Sequence, residues 1–404
     1  MRPETDFFEG SRGGKPTESG ALVGNSVHFP GLNGIRFFAA FAVMVSHLEL
    51  FKESAGLPTL SHVPFFQMLS IAGVECFFTL SGFLITYLLL EETGRTGTIQ
   101  LGKFYMRRIL RIWPLFYLVL VCGFVAAIWF GSDLGFRGAI ERPLGPQVLL
   151  YALLLPNLSW QMFGSIPFAG VLWTVGVEEQ FYLLLPVLLR RFRRHPLALM
   201  VGSLVLLVGL RAAVPAVAEW LHPGEYLPRA WDVGLGVFST LRFECMAMGG
   251  IAAYFVQRKH EAALKFLHHP GTQLYAIALI ALLLVTGIHG GFLDNAFWGC
   301  VFGIVVVNVA TNPKSLIRLD HPILDYLGKI SFGIYVYHSF AIGGCLLVFR
   351  SLDIGPGFAF NMGYYLASVS ITIALAAISY RFYEARFLRL KVGFTVVESR
   401  GESR

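Results

Sequence analysis

The chain has 404 residues, of which 55% are hydrophobic and 14% charged, whereas an ordinary soluble domain carries about 25% charged residues. Its 36 Phe outnumber its 25 Asp and Glu together, which excludes an ordinary soluble enzyme and points to a multi-spanning α-helical membrane protein. The net charge of +7 is not a nucleic-acid signal, because the Lys and Arg gather in short clusters between apolar runs, as the positive-inside rule expects.

Residues 1–30 are polar and Gly-rich and lack the apolar core of a signal peptide, so a disordered cytoplasmic tail is expected there. Apolar runs able to span a bilayer then follow near 33–51, 67–90, 110–130, 171–190, 197–217, 235–256, 273–289, 295–311, 328–349 and 359–380. A weaker run at 147–159 is broken by Pro156. The loops at 91–111, 190–196, 257–270 and 312–322 and the tail after Tyr380 are basic, while the intervening loops are balanced or acidic. All the basic loops share one side only if 147–159 does not cross. The prediction is therefore an all-α polytopic bundle of about ten spans over residues 31–388, with both termini cytoplasmic, 147–159 interfacial, and a cytoplasmic tail at 389–404. No two halves look alike, so an inverted-repeat transporter gains no support. No loop is long enough for a soluble domain, and chemistry must occur within the bundle or at its mouths. Cys76, Cys122, Cys245, Cys300 and Cys345 are widely spaced in apolar segments, which implies buried, inert thiols and neither a metal site nor a disulfide framework.

The polar residues inside these runs are the informative ones. In the first span Arg36 and His47 lie eleven positions apart, on one helix face and roughly 16 Å apart along the axis. Arg36 belongs near the cytoplasmic surface; His47, deep in the membrane, is the side chain best suited to general-base work near neutral pH. The second span carries Glu75, expected in its outer half within reach of water, and the small pair Ser81-Gly82, which allows close helix packing or leaves room for a ligand. The third opens with Arg107, Arg108 and Arg111, topology anchors or a site for a multiply phosphorylated anion. The fourth, LWTVGVEEQFYLLLPVLL, holds Glu178 and Glu179, although an ionised carboxylate in lipid costs roughly 2.5–3.5 kcal/mol. Adjacent residues point about 100° apart, so one is expected to face a cavity and the other to pair with a cation. In the ninth, Lys329 lies at the cytoplasmic edge and His338 deeper, a weaker candidate than His47; Arg381, Glu384 and Arg386 follow the tenth at the inner surface.

The segments GLNGIRFFAAFAVMVSH, FFTLSGFLIT, FYMRRILRIWP, WTVGVEEQFYLLLP, YLGKISFGIYVYHS and SYRFYEARFL together resemble, in order, the motif series of acyltransferase family 3. That resemblance implies transfer of an acyl group, most often acetyl from acetyl-CoA, to a sugar hydroxyl of a carbohydrate or glycolipid acceptor, by a protein of the bacterial inner membrane that needs no metal. The family's Arg-x10-His motif falls on Arg36 and His47, its SGF on Ser81, Gly82 and Phe83, its RRxxRIxP on Arg107 to Pro114, and its VEEQFY on Val177 to Tyr182. Asn33, Glu75 and Gly176 depart from the usual residues. Many relatives carry a fused esterase-like domain, which is not expected here. On this basis His47 is the expected base, Glu178 or Glu179 the residue that orients it or holds its charged form, and Arg36, Arg107, Arg108 and Arg111, with Ser81 and Gly82, the binders of acyl-CoA. A double displacement through an acyl-imidazole is the alternative route. The rival from another class is a transporter or flippase for a glycolipid or acyl carrier, in which Arg, His and Glu would line a pathway.

Overall fold

The computed structural model describes residues 26–27, 29–136, 143–221, 229–352 and 355–399. The predicted N-terminal tail falls outside them up to residue 25 and at 28, as does the predicted C-terminal tail from residue 400.

Backbone polar groups in hydrocarbon must be satisfied within the segment, so apolar runs become helices. In chain order these are α1 (Leu32–Ser54), α2 (Pro64–Thr96), α3 (Leu101–Phe130), α4 (Leu144–Ala152), α5 (Pro156–Phe163), α6 (Leu172–Arg191), α7 (Pro196–Leu221), α8 (Arg229–Thr240), α9 (Phe243–Gln257), α10 (Glu261–His268), α11 (Pro270–Thr286), α12 (Asp294–Thr311), α13 (Pro322–Lys329), α14 (Ser331–Ser351), α15 (Phe358–Ser379) and α16 (Ala385–Lys391). A two-residue parallel pairing of Ser26–Val27 with Glu398–Ser399 brings the two ends of the described chain together.

Eight of these helical stretches are long and apolar enough to cross a membrane, and nine if α10 and α11, bent by 56° at His269, count as one. The remaining predicted pass, 235–256, falls on α8 and α9, which break at Leu241-Arg242. The break has a polar cause. Arg211 on α7 donates to the carbonyls of Phe238 and Leu241, at 3.4 and 2.8 Å, and so satisfies the end of α8. Arg242 turns inward and pairs with Glu75 at 3.2 Å. Glu75 is therefore buried, 1% exposed, and also accepts from the Cys245 thiol at 2.6 Å; it does not reach water as the sequence reading expects. Cys122 and Cys300 are exposed on the bundle's outside, so only Cys76, Cys245 and Cys345 are buried thiols.

The 147–159 run forms two short helices, α4 and α5, of nine and eight residues. At 1.5 Å per residue each is about 12–14 Å long, too short for a core of about 30 Å. Leu154 at φ 61° turns the chain between them, and Gly176 on α6 leaves the space that the Pro156 ring fills. At the centre, α2 packs on α1, α9, α11 and α12. Its contact with α9 is backbone to backbone: a Cβ on Gly82 would run into the Met246 carbonyl, and one on Gly249 into the Thr79 carbonyl. Small residues at such crossings let helices approach closely without a hydrophobic driving force.

Candidate active site

A cavity of about 330 Å³ opens at the basic face and runs between α1, α2, α3, α6 and α14. Its wall on α2 extends from Glu92 to Val74, about 27 Å at 1.5 Å per residue. Three layers succeed one another inward.

At the mouth, Arg107 pairs with Glu92 at 3.2 Å and donates to the Phe394 carbonyl at 2.8 Å. That second bond folds the segment after α16 back over the opening, so that Lys391, Val392, Thr395 and Val397 form part of its wall. Lys329, paired with Asp325 at 2.9 Å, lines the same rim. A π-helical turn, Tyr380–Glu384, sets Tyr380 and Glu384 into the cavity. Such turns inside helices recur at functional sites. Tyr383 from this turn donates to the Pro114 carbonyl of α3 at 3.0 Å and fixes its position.

In the second layer Arg36, Arg108 and Arg111 surround Glu178. Arg36 donates to Asn33 Oδ1 at 2.9 Å, and Asn33 in turn donates to Asp325 at 2.7 Å. The Arg108 guanidinium lies over the rings of Phe104 and Tyr182. Glu178 accepts a hydrogen bond from the Ser81 hydroxyl. Six cations and three carboxylates thus line the cavity, a formal surplus of three positive charges.

The inner end is closed by Phe77, Thr174 and Tyr335. The hydroxyls of Tyr335 and Thr174 meet at 2.8 Å, and the Phe77 ring packs edge-on against Tyr335. Behind this plug lies His338, its ring 6.0 Å from that of Tyr335. His338 is fully buried, and its Nε2 meets Nδ1 of the partly exposed His47 at 2.7 Å. His47 itself does not line the cavity.

The site departs from the sequence reading in three ways. Neither carboxylate orients His47; that contact is made by His338. Glu179 turns away from the cavity and, rather than pairing with a cation, accepts from the Trp113 indole at 2.9 Å, joining α6 to α3. Gly82, one residue from Ser81 and so about 100° around the helix, faces α9 and contributes packing rather than a ligand contact. The residues missed by sequence reasoning are Thr174, Tyr335 and Lys391, while Glu384, placed there only at the inner surface, also lines the cavity. Thr174 and Tyr335 lie within spanning helices where no local pattern marks the inward face, whereas Lys391, in the expected cytoplasmic tail, comes in with the returning C-terminal segment and Glu384 with the π turn.

A polytopic helical bundle with a cationic cavity beside a pair of imidazoles defines the class: a membrane-embedded protein whose charged side chains gather at one site within the bundle. The profile of the acyltransferase domain of acyltransferase family 3 matches residues 29–381, and the chain belongs to that family. Among its curated relatives are the peptidoglycan O-acetyltransferase OatA of Listeria monocytogenes, 25% identical over 88% of this chain and 55% of the relative, and the O-acetyltransferase OatA of Staphylococcus aureus, 26% identical over 88% and 57%. The chain thus spans a little over half the length of these relatives. No solved structure matches it.

Proposed function

We propose that the chain is an integral-membrane O-acyltransferase that moves an acyl group, in the simplest case acetyl, from cytoplasmic acyl-CoA to a hydroxyl of a sugar-containing acceptor of the cell envelope. The bacterial inner membrane is its proposed site. The observation that carries this reading is the surplus of cations lining a deep, narrow cavity. A cleft lined mainly by positive charge concentrates and holds an anionic ligand. The phosphates of acyl-CoA would be held by Arg36, Arg107, Arg108 and Arg111, joined by Lys391, with the acyl-bearing arm directed along α2 toward Ser81 and Thr174. Family membership and the names of the relatives support acyl transfer and a carbohydrate acceptor.

In this scheme His47 Nε2 takes the proton of the acceptor hydroxyl as its oxygen bonds to the thioester carbonyl carbon. The C–S bond then breaks, and the protonated imidazole returns the proton to the departing thiolate. The Tyr335 ring stands between cavity and dyad, so transfer requires it to turn aside from Thr174. Glu178 tempers the charge of the three arginines and holds Ser81.

The test is incubation of membranes with radiolabelled acetyl-CoA and envelope glycan extracts. Label should appear on a sugar hydroxyl, and His47→Ala and His47→Gln should each abolish it while the protein still inserts. Transfer retained by either purified variant would overturn the assignment, and flipping of a glycolipid without thioester turnover would replace it with transport.

A further inference from the structure

The contact between two imidazoles across α1 and α14 carries chemistry that the scheme above leaves unassigned. His47 Nδ1 and His338 Nε2 are 2.7 Å apart, within hydrogen-bonding distance. Two ring nitrogens that close must share one proton, since two lone pairs or two N–H groups would repel. Only two arrangements satisfy this. If His338 donates, His47 Nδ1 accepts, and in a neutral ring the proton of His47 then sits on Nε2, which leaves that atom without a lone pair. If His47 donates, its Nε2 is unprotonated and able to take a proton. General-base chemistry at His47 Nε2 is possible only in the second arrangement.

We infer that His338 is the positioning residue that fixes His47 in its Nδ1–H tautomer by accepting that hydrogen bond, and that it shares the charge once His47 is protonated. The inference rests on the proposed role of His47. His338 is suited to the part by its surroundings: it is 0% exposed, on the same helix as Tyr335, whose ring packs beside it. Its own ring has little freedom there, and it presents one fixed nitrogen to His47. The proton balance closes within the pair: the acceptor's proton enters at His47 Nε2, the Nδ1 proton stays in the bond to His338, and both revert when the thiolate takes the proton back. The carboxylate that orients histidine in many hydrolytic triads has its place taken here by a second imidazole, which adds no net charge to the bundle.

Two variants separate this role from packing. In His338→Gln an amide oxygen can stand where Nε2 stood and accept the same bond; in His338→Met the volume is kept and the acceptor lost. His338→Gln should retain most of the transfer rate. His338→Met should lower kcat roughly 100- to 1,000-fold, within the range for loss of a correctly poised general base, with the KM for acetyl-CoA unchanged. Nitrogen-15 NMR of histidine-labelled protein, with the His47 signals assigned by their loss in His47→Ala, reads the tautomer without any turnover. Wild type and His338→Gln should show an unprotonated Nε2 on His47, and His338→Met a mixture of tautomers. A protonated Nε2 in the wild type, or full activity in His338→Met while His47→Ala is dead, would refute the inference and leave the proposed function standing. Full activity in His47→Ala would instead remove the function on which it rests.

Discussion

Arg111→Gln tests the cavity as an anion site. Arg111 lies within the bundle beside Arg36, Arg108 and Glu178, inside a cavity with six cations and three carboxylates. A charge-assisted hydrogen bond to a phosphate contributes about 1.5–3 kcal/mol, which corresponds to roughly 10- to 150-fold in the dissociation constant for coenzyme A. The substitution also deprives Glu178 of a neighbouring charge, so Arg111→Gln/Glu178→Gln belongs in the same cycle, where non-additivity reports their coupling. The control is Lys329→Gln at the rim: its ammonium already pairs with Asp325 and is about one-quarter exposed, so a loss of less than about 1 kcal/mol is expected. The assay is calorimetric titration of coenzyme A into detergent-solubilised protein. Affinity unchanged in Arg111→Gln, or reduced equally in Lys329→Gln, would show that the cavity is not where the phosphates bind.

Three further outcomes follow from the packing. Glu178→Gln and Glu179→Gln should differ in kind: the first should depress transfer through the cavity, whereas the second, loosening only the bond to Trp113, should lower the unfolding midpoint in a thermal-shift assay with kcat nearly intact. Gly82→Val should destabilise the bundle by about 1–3 kcal/mol, the usual cost of overpacking, because the new side chain meets the Met246 backbone; size-exclusion chromatography of solubilised protein should show the loss of folded material. Glu75→Ala should cost about 1–3 kcal/mol, because it leaves the buried Cys245 thiol and the quarter-exposed Arg242 without the carboxylate they share. Glu75→Ala/Arg242→Met should recover folded yield toward the wild-type level, measured in the same assay.

The helices were legible because a hydrocarbon environment imposes a strict composition, and the same strictness makes each embedded charge conspicuous. Arg36, Glu178 and the α3 arginines stand out in sequence for that reason, and the structure brings them to one cavity. Orientation was less legible. Nothing in the pair Glu178-Glu179 says which carboxylate looks inward; that is decided by where α3 presents Trp113. The partner of His47 lies 291 positions away, beyond any local pattern. Hydropathy likewise joins 235–256 into one run, because it does not register that Arg242 is drawn sideways to Glu75.

Between the cavity and the imidazole pair, the hydroxyls of Thr174 and Tyr335 meet at 2.8 Å. One hydrogen bond of this kind contributes only about 0.5–1.5 kcal/mol net, so the partition it forms is a light latch, and rotation of a single phenol ring is enough to lift it.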